Sequence, residues 1–326
     1  MIKILELFGG IGACSKALER LGIEYEIADY VEIDKYAVAS FNAMHNTNFE
    51  VQDITQWNKK LDVDLIMHGS PCQDFSLAGL QAGGDEGSGT RSSLMYETLR
   101  IVKKLRPKYV IWENVKNLLS KKHRHNFDTY LETMEELGYK NYYQVLNAKD
   151  YGIPQNRERI FTISIRNDID KEFVFPEKQK LELYLSDILE KNIPKEYYWN
   201  EKNINELRKQ KINKVKYKWN NEVKKYIYNE KLDLTKVYSL NAYNNTYSEI
   251  SHTLTAPHNT LFVLQNKKIR KTMPLENWRL MGFDDEDFEK ASKVNSNSQL
   301  HKQAGNSIVV NVLEAILKKL IEKSDK

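Results

Sequence analysis

Cysteine is scarce. Cys14 and Cys72 are the only two in 326 residues, too few for a disulfide framework, which points to a reducing compartment. No apolar run approaches the roughly 20 residues that cross a bilayer. Met1-Ile2-Lys3-Ile4 leads straight into a strand pattern, with no signal-peptide pattern before it. Proline is thin, seven in all with no proline-rich linker, and no internal repeat is present. Neither sign of charge dominates: the net charge of +4 is compatible with a polyanionic partner without establishing one. Glycine is absent from Asp168 to Arg270, yet five of the 14 fall between Leu77 and Thr90. The 41% hydrophobic and 29% charged content suits an ordinary globular chain, with length for one large domain or a large and a small one.

What is present is organised around Gly69-Ser70-Pro71-Cys72-Gln73-Asp74-Phe75-Ser76. The apolar run Leu65-Ile66-Met67 stops there, so Cys72 sits just beyond a strand end, where open α/β sheets bind ligands. Its thiolate is the one strong soft nucleophile available, useful when its pKa is lowered. Taken alone, it would be a small buried hydrophobe. Leu77 to Thr90 follows, glycine-rich and without hydrophobic period. A loop of that length suits a lid closing over substrate.

The earlier strands carry a second pattern. Ile2 to Phe8 reads as a strand, then Gly9-Gly10-Ile11-Gly12 as a turn, then Ala13 to Leu21 as a helix. That unit opens nucleotide-binding α/β folds, and glycines let a ligand approach the backbone, although a lone Gly-x-Gly is weak. A strand at Ile27 to Val31 ends at Glu32-Ile33-Asp34, about 20 positions on, where an acid can accept from ribose hydroxyls; Asp34 also suits a helix cap. A third strand edge is expected at Val51-Gln52-Asp53-Ile54, with Asp53 placed to accept from an adenine amino group. No Gly-Lys-Ser/Thr loop exists, so the set suggests a nucleoside-like cofactor and not a bare phosphate.

Arg91 to Leu105 has the spacing of an amphipathic helix stopped by Pro107. Tyr109-Val110-Ile111-Trp112 reads as a buried strand ending in Glu113-Asn114-Val115, where desolvation should raise the Glu113 pKa and let it hold or donate a proton. A helix around Phe127 to Leu137 and strands Tyr142 to Leu146 and Ile160 to Ile165 follow. In Gln155-Asn156-Arg157-Glu158-Arg159 the two arginines fall on one face of an extended chain, able to clamp an acceptor oxygen or phosphates. Asn311 to Ile321 reads as a closing helix.

Together, Phe8-x-Gly10-x-Gly12, Glu32, Asp53, Pro71-Cys72-Gln73, Glu113-Asn114-Val115, Gln155-x-Arg157-x-Arg159 and Gln303-x-Gly305-Asn306-Ser307 resemble the cytosine-C5 DNA methyltransferases of bacteria and phages. The motifs stand in the family's order and flank a variable stretch at the family's position.

The resemblance implies an α/β, Rossmann-like S-adenosylmethionine-dependent methyltransferase domain over 1–167, an inserted target-recognition domain over 168–270, and a return to the catalytic domain over 271–326. It implies attack of Cys72 at C6 of a flipped-out cytosine in duplex DNA, Glu113 at N3 and the exocyclic amine, Arg159 at O2, and Arg157 supporting the site or a phosphate. By the same resemblance Phe8, Gly10, Gly12, Glu32, Ile33, Asp53, Ile54, Pro71, Leu94, Asn306 and Ser307 line the cofactor pocket, with S-adenosylhomocysteine as product. Gln73, Ser76, Arg91 and Thr253 would meet DNA. No metal, membrane or obligate protein partner is implied, and a cytoplasmic monomer is expected.

The glycine-free stretch is rich in Asn, Lys and Tyr, and Lys195 to Lys236 holds twelve Lys/Arg against six Asp/Glu with Tyr197, Tyr198, Trp199, Tyr217, Trp219, Tyr226 and Tyr228 interleaved. That mixture suits phosphate and base contact, and the family reads its target there. Asp74 departs from the family's usual alanine or proline. Two other readings remain: a transfer-RNA methyltransferase of the same superfamily, whose Pro-Pro-Cys is here Ser70-Pro71-Cys72, and an inactive DNA-binding relative, against which Cys72, Glu113, Arg157 and Arg159 all count.

Overall fold

The computed structural model describes residues 1–71, 91–199, 232–241, 246–255 and 261–322. The expected lid, 77–90, and most of the basic-aromatic stretch lie outside them. Strands β1 (Ile2–Leu7), β2 (Tyr25–Val31), β3 (Leu65–His68), β4 (Tyr109–Val115), β5 (Tyr139–Asn147) and, after the two-residue β6 (Gln155–Asn156), β7 (Glu158–Arg166) supply the main sheet. Its order is β2-β1-β3-β4-β7-β5. The first four strands are parallel, whereas β7 is antiparallel to both β4 and β5. This is the Rossmann-like α/β class expected.

Alternation along the strands builds two apolar layers, because successive side chains leave opposite faces. Ile4, Met67, Ile111 and Ile163 face α1 (Ala13–Arg20), and Leu5, Ile66, Val110 and Trp112 face the other way. Helix α2 (Lys35–His45) starts where Asp34 Oδ1 accepts from Tyr36 N at 3.0 Å. Helices α3 (Met95–Leu105) and α4 (Arg124–Glu136) cover the second layer with Val102, Phe127 and Tyr130. The amphipathic helix expected from Arg91 begins as a 3-10 turn over Arg91–Leu94 and ends at Leu105 as expected, with Arg106 as a left-handed cap before Pro107.

The expected strand at Val51–Ile54 does not form. Gln52 N donates to Glu32 O at 3.0 Å, but the Gln52 amide goes to Asp29 and to Tyr30 O through its side chain. The segment is an edge pinned by side chains, followed at once by a turn.

After a short helix α5 (Leu185–Ile188), strands β8 (Tyr238–Asn241), β9 (Thr246–Ser248), β10 (Ser251–His252), β11 (Leu261–Gln265) and β12 (Lys268–Lys271) follow. Four of them form an antiparallel sheet, β12-β11-β8-β9, while β10 pairs with β6. One face has its own core of Leu232, Tyr238, Leu240, Phe262, Leu264 and Ile269, and Leu261 and Val263 join the larger body. Phe173, Leu185, Ile188 and Leu189 are also buried in the larger core, so the stretch 168–270 begins against the main sheet and its helices. Helices α6 (Pro274–Arg279), α7 (Asp285–Ser292), α8 (Asn297–Asn306) and α9 (Val310–Glu322) bring the chain back, with Leu313, Ile316 and Leu317 closing the first layer beside α1. No described helix is long and apolar enough to cross a membrane.

The small sheet is fastened by a fully buried ion pair. Arg270 at its edge and Glu276 in α6 are both 0% exposed. Arg270 Nη1 and Nη2 donate to Glu276 at 2.8 and 2.6 Å, Gln265 Oε1 accepts from Nε and Nη2, and Glu276 also accepts from Met273 N and Glu190 N. Removing one partner leaves a buried charge alone, which costs about 3–5 kcal/mol. Glu276→Ala should therefore lose about that much in urea denaturation. A loss below about 1 kcal/mol, the scale of an exposed pair, would show that the pair holds nothing together.

Candidate active site

The glycine turn after β1 is braced from behind. A Cβ on Gly9 would lie 2.6 Å from the Tyr30 ring, Tyr30 OH donates to Gly10 O at 2.6 Å, and Tyr30 stacks on Phe41 with centroids 3.8 Å apart. Gly12 at φ 77° has no room either: an added Cβ would meet His45 and Phe41 at 2.7 Å. Gly10 is different. Its φ of 56° favours glycine, and nothing lies within 4 Å of where a Cβ would be. The turn is packed on one side and open on the other.

The open side is a cavity with about 410 Å³ of empty space, continuous with solvent. Of the expected cofactor residues it is lined by Phe8, Gly10, Asn306 and Ser307, and it reaches the Glu113 carboxylate. Glu32 adjoins it through Gly10, whose N donates to Glu32 Oε2 at 3.1 Å, while Asp34 N donates to Oε1 at 2.8 Å. Each oxygen keeps a lone pair for another donor, and burial pushes the Glu32 pKa up.

Ile33 is 66% exposed beside it. Asp53 is exposed, with Oδ1 accepting from Thr55 N and Thr55 Oγ1, both at 2.9 Å. Ile54 packs into the α3–α4 layer, Leu94 lies partly buried against it, and Pro71 is partly buried.

As expected, β4 ends in Glu113-Asn114-Val115, with the antiparallel β7 alongside. Arg159 Nε lies 3.0 Å from Glu113 Oε1. Burial pushes the Glu113 carboxyl above the ordinary carboxylate range, and the Arg159 and Arg157 guanidinium groups offset part of the rise. The residues on either side fix the neighbouring loop: Trp112 Nε1 donates to Ser70 Oγ at 3.0 Å, and Asn114 Nδ2 to Ser70 O at 3.4 Å. Beneath them His68 stacks on Trp112 and burial pushes its pKa down to about 3, so it stays neutral. The chain that leaves Ser70 and Pro71 runs into Cys72. Cys72, Gln73 and Ser76 lie outside the described residues, and of Arg91 only the main chain is described, opening the turn before α3.

The two arginines that share a face do separate work. Arg157 is 4% exposed, and its guanidinium donates to Leu254 O at 2.8 Å, Gly305 O at 3.2 Å and Ser307 O at 2.8 Å. It ties Leu254 and the C-terminal segment at Gly305 and Ser307 to the chain just before β7. Gln155 works beside it, donating to Leu280 O and accepting from Leu254 N. Thr253 turns its hydroxyl inward, to Asn156 O at 2.6 Å.

Three residues were not anticipated. Glu6 and Cys14 line the cavity. The Glu6 carboxylate accepts from Ser15 N and Ser15 Oγ, and burial raises its pKa to about 7; Cys14 is pushed well above its ordinary value, also by burial. An acid inside the apolar run Ile2 to Phe8 was the available signal for Glu6. Asp29 is 3% exposed and accepts from Gln52 Nε2 at 2.9 Å, Trp57 Nε1 at 2.7 Å and Lys59 Nζ at 2.7 Å. With Arg100, which donates to Ile54 O and Trp57 O, it brackets the turn that carries Asp53.

Known proteins are similar to this chain in sequence and in fold. The sequence matches the family described as C-5 cytosine-specific DNA methylase over residues 2–322. It is 34% identical to the type II methyltransferase M2.ScrFI of Lactococcus lactis subsp. cremoris, covering 99% of each chain. It is 36% identical to the type II methyltransferase M.HhaI of Haemophilus parahaemolyticus, covering 97% of this chain and 93% of that one. The orphan methyltransferase M.SPRI of Bacillus phage SPR is 31% identical over 98% of this chain and 97% of its own. The solved structure of S. pombe Dnmt2 methyltransferase covers 100% of both chains with a TM-score of 0.69 at 20% identity, a likeness of fold. On the family match and these identities, the chain belongs to the C-5 cytosine-specific DNA methylases.

Proposed function

We propose that this enzyme transfers a methyl group from S-adenosylmethionine to C5 of a cytosine extruded from a specific duplex DNA sequence. The observation that carries the reading is one cavity running from the glycine turn to the buried Glu113, with the segment leading into Cys72 held beside it.

The cavity's residues fit that cofactor. Gly10 leaves open space for close approach, Glu32 keeps lone pairs for ribose hydroxyls, Asp53 offers a free carboxylate oxygen to an adenine amine, and Glu6 is an acid facing the ligand space. Bound there, it supplies an electrophilic methyl on a sulfonium sulfur that keeps the bonding pair when the methyl is lost. The chain's own residues prepare the acceptor. The Cys72 thiolate forms a bond to C6, and the C5–C6 π pair becomes available at C5. Glu113 donates to N3 and relieves the charge that builds on the ring, while Arg159 holds Glu113 in place. Loss of the C5 proton to a base restores the double bond, and the Cys72 sulfur leaves with its pair. A stacked base cannot reach such a site, so the cytosine must be flipped. Residues 168–270 would read the target, through few side chains at base edges. The type II and phage relatives support a role in modification of bacterial or phage DNA. Ser70 weighs against the transfer-RNA reading: its hydroxyl accepts from the buried Trp112 indole, an acceptor that proline lacks.

Duplex DNA with 5-fluorocytosine at the target should trap the wild-type enzyme covalently, since fluorine cannot leave as a proton does. Cys72→Ser should abolish methyl transfer and trapping; a Cys72→Ala protein that still forms the adduct would overturn the assignment.

Glu113 must be protonated, or share a proton, to assist at N3. Its raised pKa keeps the protonated form populated to higher pH than an ordinary carboxylate, and kcat should fall as pH climbs through that pKa. Glu113→Gln should lose that limb together with roughly 10²–10⁴ in rate, the usual worth of general acid help. Turnover near the wild-type rate would make Glu113 structural only.

Asp29 offers a separate test on the cofactor side. Asp29→Ala leaves Trp57 Nε1 without its acceptor and the Gln52 amide with Tyr30 O alone, and the turn bearing Asp53 loses its anchor. The KM for S-adenosylmethionine should rise roughly tenfold or more, the scale of a hydrogen bond to a charged group, with the KM for DNA little changed. In an Asp53→Ala background the same substitution should add little. Full additivity would mean that Asp29 does not act through Asp53.

A further inference from the structure

The loop that leaves β4 carries charge that the chemistry above does not use. From Lys116 to His125 the chain has Lys116, Lys121, Lys122, Arg124 and two histidines, with no acid. Two of the four cations are committed: Lys116 pairs with Glu158 at 3.0 Å and Arg124 with Asp128 at 2.7 Å. Lys121 and Lys122 are exposed, and neither has a carboxylate within ion-pair distance among the described residues.

Their position matters more than their number. Leu118 and Phe127 anchor the loop in the α3–α4 layer. The recognition sheet rests on the opposite layer through Leu261 and Val263, and β10 joins the catalytic domain at β6, beside the start of β7. Both lie at the end of the sheet where β4 presents Glu113 and β7 begins. A duplex delivering a base to Glu113 would thus have the recognition region on one flank and Lys121 and Lys122 on the other.

We propose that Lys121 and Lys122 contact DNA phosphates on the flank opposite the recognition region, a grip that positions the duplex and carries no sequence information. The inference rests on the methyltransferase reading, because only a duplex seated over Glu113 brings phosphates to that flank.

The test is the salt dependence of target-duplex binding. Each phosphate neutralised contributes a slope of about −0.9 in log K against log salt for B-DNA. The Lys121→Ala/Lys122→Ala protein should therefore show a slope less steep than wild type by about 1.8, each single variant by about half of that. Lys121→Arg/Lys122→Arg should restore it, because either side chain serves as a phosphate cation. The KM for S-adenosylmethionine and the sites methylated, read by bisulfite sequencing, should match wild type and show that the variants fold. A slope equal to wild type in the double variant would overturn this inference and leave the methyltransferase reading standing. A wild-type protein that neither binds nor methylates duplex DNA would overturn both.

Discussion

A buried carboxylate facing one guanidinium sets the terms for the rest of the molecule. Glu113 lies on β4, where the parallel part of the sheet meets the antiparallel β7. That seam explains why the pair exists. The neighbour on one side runs with β4, so β3 ends beside it and hands the chain on to Ser70 and Pro71. The neighbour on the other side runs against β4, so β7 begins there and presents Arg159 at its start. A wholly parallel sheet would bring only strand ends to this edge, and the cation would have to come from a loop. Burial favours the protonated acid and Arg159 favours the ionised one, an opposition that agrees with the proton-sharing role proposed for Glu113.

Precision at that edge comes from main-chain anchors. Arg157 spends its guanidinium on three carbonyls from two distant stretches, Leu254 and Gly305 with Ser307. Gln155 adds Leu280 and Leu254 from the same side. A polypeptide that leaves the main sheet, builds a second one and returns has many ways to return slightly wrong. Carbonyls fixed by a planar donor remove most of them, since the guanidinium fork offers rigid directions. The Arg270–Glu276 pair does the equivalent for the small sheet, with every polar atom of the pair in use.

Local rules read much of this from the sequence and stopped where the partners are remote. The strand–glycine turn–helix unit, Asp34 as a cap, the end of α3 at Leu105 and the buried strand bearing Glu113 follow from patterns a few residues long. The strand expected at Val51–Ile54 failed because its one ladder bond, Gln52 N to Glu32 O, is supplemented by the Gln52 side chain, and periodicity cannot register a side chain that substitutes for a strand neighbour. The task of Arg157 was unreadable for a different reason: its acceptors are backbone oxygens 97 to 150 positions away, and every residue has a carbonyl. Glu6 was readable. The argument applied to Glu32 and Glu113, an acid at an apolar strand end, holds for it equally.

Those three acids also constrain what the cavity can hold. Glu6 and Glu113 line it, Glu32 adjoins it through Gly10, and burial raises all three pKa values. Each raised value means that ionising the group costs more in the folded chain than in the unfolded one, so stability is lost as pH rises from the ordinary carboxylate value through the raised one, about 7 for Glu6. A ligand that carries positive charge into the cavity reverses this, because a nearby cation favours the ionised forms. An anionic ligand, such as a nucleotide with free phosphates, would deepen the penalty three times over. The glycine turn by itself fits a nucleoside ligand of any charge. The acids around it favour a ligand with positive charge beside them, which agrees with the S-adenosylmethionine proposed above, whose sulfonium lies beyond the ribose.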